Sequence, residues 1–343
     1  ILAHDRFVQV QRLVARLFDP GRNLFLVHLD EKVATPQLMQ SFTSWAKQAL
    51  GEESRRVRIF SEFSVHRGGR SMLDVQLRAF HLLIEDPRPW DFFMNLGDTH
   101  YPAESFFWMG SYLWLHRGTN YARITSTKYY DPTLQGGSGA TYNGPRKEDV
   151  YIACDRSLSF ECGGQLFSLA PGVKFPPVLS GVTVTAASGP EWVILSRSFV
   201  EYTNLGLQEA AAGEPRRNPV VRRIYEDLAG LSIPEETFFQ TLLLSSPFCQ
   251  TVLRHEFLYL DLYDAPWRTS PDSDFPFQSP RPLNATHLAE IGRDEPWFVR
   301  KIDSSLPAAL SLRGALDASV SRRSSCLVLL KVLLVLLLLL LLL

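Results

Sequence analysis

Residues 24–30 read Leu-Phe-Leu-Val-His-Leu-Asp, a short apolar run that stops at a carboxylate. A run of that length between turn signals reads as a buried strand, because a parallel sheet covered on both faces leaves no polar side to alternate with. Pro20-Gly21 bounds it in front. Upstream of that break, Phe7, Val10, Leu13, Val14, Leu17 and Phe18 recur at helical spacing. Downstream, Thr35-Pro36 supplies a cap and a first-turn proline for a helix carrying Leu38, Phe42 and Trp45 on one side. Val57–Phe60 forms a second short strand. Gly68-Gly69 precedes Ser71, whose hydroxyl is placed to cap a helix reaching about Ile84, and Phe92–Leu96 forms a third strand. Short apolar strands alternating with helices specify an α/β architecture, a sheet flanked by helices. Such sheets bind ligands beyond the carboxyl ends of their strands. Two segments therefore matter most: Val27-His28-Leu29-Asp30, and Asn95-Leu96-Gly97-Asp98-Thr99-His100-Tyr101-Pro102.

The pattern loosens beyond this half. Residues 118–190 are rich in Gly, Ser, Thr and Pro and read as long loops with a few strands. Trp192–Leu195 is another buried strand, followed by a helix through Phe199 and Tyr202. Residues 206–220 read as a polar loop and 264–282, rich in Pro, Ser and Asp, as another. Between them Glu235–Leu244 is a helix with Phe238, Phe239 and Leu242 facing inward. The chain divides into a globular unit over 1–303, a linker over 304–325 without pattern, and an apolar tail over 326–343. No internal repeat is present.

Composition limits the classes. The 343 residues are 45% hydrophobic, enough for a sizeable core, and carry 35 basic against 36 acidic side chains. That balance excludes a nucleic-acid binder, which needs a basic excess to neutralise phosphates. The cysteines are Cys154, Cys162, Cys249 and Cys326, with no C-x-x-C pair, so a structural zinc site is not expected. Cys154 and Cys162 are close enough for a loop disulfide, although spacing alone does not set the pairing. Asn284-Ala285-Thr286 is a glycosylation sequon, usable only in a secretory lumen. The chain opens at Ile1 inside a patterned segment and reads as a piece whose leader or anchor would lie upstream. Cys326–Leu343 is apolar apart from Lys331. At about 1.5 Å per residue it reaches roughly 27 Å, close to the ~30 Å hydrocarbon core. It fits a membrane anchor, a removable lipid-anchor signal, or a low-complexity leucine tract.

Five segments in fixed order together resemble the core-2/I-branching and xylosyltransferase family of glycosyltransferases. They are Leu26–Lys32 (Leu-Val-His-Leu-Asp-Glu-Lys); Pro89–Leu96, followed by Tyr101-Pro102; Glu191–Tyr202; Pro234–Thr241, continuing to Ser246–Cys249; and Phe298–Lys301. The Trp-Asp-Phe-Phe, Phe-Val-Glu-Tyr and Pro-x-Glu-x-Phe-Phe wording is closest to the peptide O-xylosyltransferase branch. The resemblance implies a GT-A-type, Rossmann-like fold with a mixed sheet flanked by helices. It also implies a UDP-sugar donor, a protein or glycan acceptor, and residence in the Golgi or endoplasmic reticulum membrane with the catalytic domain in the lumen. Where the family has an acidic residue directly before Tyr-Pro, this chain has His100, and Asp98 lies two positions earlier.

Sugar transfer needs a base for the acceptor hydroxyl, positive charge for the leaving diphosphate, and a pocket for nucleotide and sugar. The resemblance assigns the base to Glu236, the second acidic residue after Pro234. At a helix start beside Phe238 and Phe239 it would be partly desolvated, which strengthens a carboxylate base. Glu235 and Glu236 would also favour the helix N-terminus electrostatically whatever their chemistry. Arg300 and Lys301 match the family's basic pair, which stabilises the diphosphate in place of a metal. The one Asp-x-Asp, Asp272-Ser273-Asp274, lies in a loop and not at a strand end, so metal-independent transfer is expected. Asp30, Asp98 and His100 are candidate nucleotide-sugar contacts at strand ends, and Glu191 and Trp192 candidate walls of the sugar and acceptor pocket. Gly68-Gly69 before a helix could favour anionic groups. His28 and His66 lack an i, i+4 partner and read as core or hydrogen-bonded residues. The expected reaction is inverting transfer of xylose from UDP-xylose to a protein serine. The alternatives are a β-1,6-N-acetylglucosaminyl or glucuronosyl transferase, and a membrane-anchored glycan-binding pseudoenzyme motivated by His100.

Overall fold

The computed structural model describes residues 1–124, 187, 189–208, 218–228, 233–255, 257–261 and 280–321, with the backbone of four short strands between 158 and 183. Cys154 and Cys326, the side chain of Cys162, Asp272-Ser273-Asp274 and the tail 326–343 lie outside the described residues. Cys249 is a free, exposed thiol.

The opening stretch builds one end of a parallel sheet. Strand β1 (Leu2–Ala3) leads into α1 (Phe7–Leu17), then β2 (Phe25–Leu29), α2 (Pro36–Leu50) and β3 (Val57–Phe60). Strand β2 is central, parallel to β1 through Leu2↔His28 and to β3 through Phe25↔Val57. Thr35 caps α2 by accepting from the Leu38 N–H at 3.2 Å, as its sequence specifies. Helix α3 (Ser71–Ile84) returns the chain to β4 (Phe92–Met94). Ser71 is the first residue of α3 and not its cap; its Oγ instead accepts from the His66 N–H at 2.8 Å and fixes the preceding loop. Just past β4, Gly97 bridges Leu2 in parallel, and the Leu2 N–H donates to the Leu96 carbonyl at 2.8 Å. The chain therefore lays β2 and β3 on one side of β1 and then crosses to the other side. Such a switch leaves a crevice at the strand ends.

The sheet continues through antiparallel strands. After β5 (Tyr101–Pro102), α4 (Phe106–Leu115) and β6 (Asn120–Ala122) come the four short strands β7 (Leu158–Cys162), β8 (Gln165–Ala170), β9 (Val178–Leu179) and β10 (Val182–Thr183). Strand β11 (Val193–Ser196) then pairs antiparallel with both β4 and β6, while β12 (Val252–Leu253) runs parallel to β6. Ser196 caps α5 (Arg197–Leu207). Helices α6 (Pro219–Leu228) and α7 (Glu235–Leu244) follow, so the stretch read as a polar loop holds only part of its length between helices. Phe80, Phe93, Phe199, Phe238, Phe239 and Leu242 interlock in the core between these helices and β4–β11. A second core lies under α1 and α2, around Val27, Leu29, Leu13 and Phe42.

A third layer closes the fold. Strand β13 (Leu258–Leu260) runs parallel to β14 (Phe298–Arg300), which pairs antiparallel with β5 through Val299↔Tyr101; α8 (Leu288–Asp294) lies between β13 and β14 in sequence. Residues 304–325, expected as a patternless linker, instead contain helix α9 over 307–321. Its Ala309, Leu312 and Leu316 are buried against Tyr101, Leu283, Val299 and Ile302. Val320 continues the same helical spacing, but small or isolated apolar positions among Ser and Arg give a weak periodic signal. Among the described residues no helix is long and apolar enough to cross a membrane.

Candidate active site

A cavity of about 460 Å³ opens at the strand ends where β1, β2 and β4 meet. One wall comes from Ala3, His4 and Arg6 after β1, Asp30 and Lys32 after β2, and Gly97, Asp98 and Thr99 after β4. The loop before α3 adds Arg67 and Gly68. The lining continues with Glu191 and Trp192 before β11, Glu235 and Glu236 at the start of α7, and Arg300 and Lys301 at the end of β14. Seven segments far apart in sequence therefore converge on one space, and both strand-end segments singled out by the sequence contribute.

The carboxylates differ in availability. Asp30 is 4% exposed; one of its oxygens accepts from the Lys32 N–H at 3.0 Å and the Val65 N–H at 3.4 Å, and Lys32 Nζ lies 3.5 Å from the other. It organises the loop after β2 while lining the cavity. Asp98 accepts from the backbone N–H groups of His4 and Asp5 at 3.4 and 3.2 Å and meets His4 Nδ1 at 3.1 Å. That hydrogen bond raises the pKa of His4. Asp98 therefore ties down the turn between β1 and α1, with its carboxylate largely engaged there. Glu191 is buried, and burial pushes its carboxyl up against the opposing pull of Arg300 and Arg67. Its backbone carbonyl accepts from Asn95 Nδ2 at 2.7 Å, and Asn95 Oδ1 accepts from the Val193 N–H at 2.8 Å, so one asparagine fixes the approach to β11.

Glu235 and Glu236 occupy the first turn of α7, where exposed helix N–H groups favour negative charge. Glu235 is 3% exposed and Glu236 half-buried. The Glu236 carbonyl accepts from the Gly189 N–H at 2.9 Å, and the Ile233 N–H donates to the Gly68 carbonyl at 2.9 Å. These two bonds pin the start of α7 to both neighbouring loops. Gly68 has φ +77°, a conformation that disfavours any residue with a Cβ.

The basic pair sits at the end of β14. Arg300 lies over the Trp192 ring, its guanidinium carbon 4.8 Å from the ring centre, and its Nε is 3.4 Å from Thr99 Oγ1. Burial and the nearby Arg6, Arg300 and Arg67 lower the pKa of Lys301. Cations crowded into a half-buried corner repel one another, and an anion placed among them relieves that repulsion. Arg6 is held in turn by Asp303, with its Nη2 2.9 Å from Oδ2.

One predicted contact falls elsewhere. His100 is 1% exposed and does not line the cavity; it packs behind Trp192, ring centres 4.1 Å apart, and accepts from the Gly97 N–H at 3.0 Å through Nδ1. His28, which the sequence reads as a core or hydrogen-bonded residue, does line the cavity; burial lowers its pKa to about 4. His4, Arg6, Lys32, Arg67 and Arg123 also line it without having been singled out. Lone charged residues next to turns carry no sequence signal of direction. Among the described residues no three His, Cys, Asp or Glu side chains converge on one point as metal ligands would.

Comparison with known proteins agrees with this geometry. The chain is 26% identical over 321 residues to Xylosyltransferase 2 of dog, covering 89% of this chain and 32% of that protein. It is 26% identical over 247 residues to Xylosyltransferase 1 of rat, covering 71% and 25%. It is 24% identical over 244 residues to Xylosyltransferase oxt of Drosophila pseudoobscura pseudoobscura, covering 71% and 23%. The chain thus spans about a third or less of the length of these relatives. The model of the Core-2/I-Branching enzyme family matches residues 1–271, most of the 343, and the α/β switch-point architecture is consistent with a GT-A-like domain. The chain belongs to the Core-2/I-branching enzyme family.

Proposed function

We propose that the cavity binds a nucleotide sugar and transfers the sugar to an acceptor hydroxyl, with Glu236 as base and Arg300 and Lys301 as the diphosphate clamp. The observation that carries this reading is their convergence: a carboxylate pair at a helix start and a basic pair at a strand end face one cavity from separate elements. The acceptor hydroxyl gives its proton to the Glu236 carboxylate as its oxygen bonds to the anomeric carbon. The bond from that carbon to the diphosphate oxygen breaks, and its electron pair leaves with the nucleoside diphosphate. Arg300 and Lys301 meet the charge that develops there, where fixed positive groups lower the barrier most. The attack comes from the face opposite the leaving group, so the anomeric centre inverts. The basic pair takes the role that a metal ion plays elsewhere, and transfer proceeds without one.

Xylose from UDP-xylose is the proposed donor and a protein serine the proposed acceptor, because three of the relatives above are xylosyltransferases by name. The proposed compartment is the Golgi or endoplasmic reticulum lumen, which suits the sequon at Asn284. The test is release of UDP from a panel of UDP sugars with a Ser-Gly-rich peptide, run with wild type and Glu236→Gln. UDP-xylose turnover that collapses in the variant is expected. A preference for UDP-N-acetylglucosamine or UDP-glucuronate would replace the xylose assignment, and full activity of Glu236→Gln would remove Glu236 as the base.

A further inference from the structure

Trp192 and Arg300 line the cavity, and a buried residue packs behind Trp192. His100 is completely buried, follows β4 by a tight turn, and reaches the Trp192 indole with ring centres 4.1 Å apart and planes at 67°. That is the edge-to-face arrangement aromatic rings prefer. Arg300 lies over the same indole at 4.8 Å, and its Nε meets the hydroxyl of Thr99, the residue before His100. The stack has little freedom. The Gly97 N–H donates to His100 Nδ1 at 3.0 Å, which leaves the ring proton of the neutral imidazole on Nε2, and Nε2 has no hydrogen-bond partner. A Cβ at Gly97 would meet Trp192 Cη2 at 3.3 Å, tighter than ordinary contact, and His100 Nδ1 at 3.5 Å, so the turn packs closely against both rings. The Ile302 N–H donates to the Thr99 carbonyl at 2.9 Å, which ties this turn to the strand end that carries the basic pair.

Charge explains why an imidazole suits the position. Burial first, then the proximity of Arg300, holds His100 well below its ordinary pKa, so it stays uncharged at neutral pH. A neutral ring supports the indole without adding to the cations of the corner. It also offers no carboxylate to pair with the guanidinium and compete with an incoming anion.

We propose that His100 is a positioning residue for the diphosphate clamp, acting through Trp192 to hold the Arg300 guanidinium over the cavity. This rests on the reading of Arg300 as a diphosphate contact. The test is calorimetric titration of UDP and of uridine into wild type, His100→Ala, Arg300→Gln and the double variant, with melting temperatures recorded in parallel. His100→Ala should weaken UDP about tenfold and uridine less than twofold, since uridine has no phosphate to reach the clamp. In the Arg300→Gln background the same change should weaken UDP less than twofold. Equal loss for UDP and uridine, or an undiminished loss in the Arg300→Gln background, would mean that His100 only supports the fold, and the inference fails while the functional reading stands. If Arg300→Gln alone leaves UDP affinity unchanged, the functional reading of the clamp fails with it. Should His100→Ala not fold, His100→Asn keeps an acceptor for the Gly97 N–H while removing the ring edge, and the same cycle is read from it.

Discussion

At Glu236 the decisive change is a single oxygen for a nitrogen. Glu236→Gln keeps the helix start and its bond to Gly189 but removes the proton acceptor, so transfer should fall roughly 10²–10⁴-fold with UDP affinity within twofold of wild type. Progress curves of UDP release alongside UDP titration separate the two quantities; loss of affinity instead of rate would move Glu236 out of the base role. Asp303 gives a prediction of stability. Its bond to Arg6 holds its carboxyl well below the usual carboxylate range, so the stabilisation is complete above the unfolded value near pH 4 and is lost as pH falls through the folded one. Asp303→Asn should therefore melt below wild type at pH 7, and the gap should narrow progressively on acidification below about pH 4. A gap that stays constant would show that Arg6–Asp303 contributes nothing through charge. At this scale the sequence was informative where a residue stood inside a motif. Asp30, Glu191, Trp192, Arg300 and Lys301 were legible and all line the cavity. Asp98 lines it too while tying down the turn after β1, and His100 turns away from it, because a turn of four residues aims each side chain differently. Arg67 and Arg6 were illegible, since nothing in a lone arginine beside a turn says which way it points.

Elements were most readable where one periodicity ran uninterrupted. The 235–244 helix and the 25–29, 57–60 and 193–196 strands follow from apolar runs with clear borders, and Thr35 marks its helix start through a real hydrogen bond. Helix α9 is faint in the sequence because Ala309, Leu312, Leu316 and Val320, spaced among Ser, Arg and Gly, are all that mark its buried face. Burial still makes it part of the fold: it covers Tyr101, Val299 and Ile302, and Asp317 accepts from the Tyr101 hydroxyl at 2.7 Å while meeting Arg16 at 3.0 Å. Leu312 is completely buried, so Leu312→Ala should cost about 2–5 kcal/mol, the range for a leucine removed from a packed core. Denaturant unfolding measures this directly, and a cost under about 0.5 kcal/mol would mean that α9 is dispensable. The consequence reaches the site, because α9 packs beneath the β5–β14 pair whose end carries Arg300 and Lys301.

The whole molecule is a binding site assembled from parts that would not otherwise be neighbours. Residues 2–6, 28–32, 65–72, 97–99, 189–192, 233–236 and 300–301 line it together. A ligand that binds only the folded chain adds to its stability by mass action, and one that engages more of this lining binds more tightly and adds more. At a hundred times its dissociation constant a ligand contributes about 2.7 kcal/mol. For a domain of this size that is a rise of a few degrees in melting temperature. UDP should produce that rise, its diphosphate bridging from the strand ends to Arg300 and Lys301, and uridine at equal concentration should produce much less. The difference should disappear in the Arg300→Gln, Lys301→Gln double variant, because the end of β14 then offers no positive charge to the phosphates. It should also shrink at alkaline pH. Burial and the surrounding arginines lower the pKa of Lys301, so its charge is complete below that lowered value and is lost as pH rises through it, earlier than for an exposed lysine. A UDP-dependent shift that survives both the double variant and high pH would place the diphosphate elsewhere in the cavity and return Arg300 and Lys301 to a structural role.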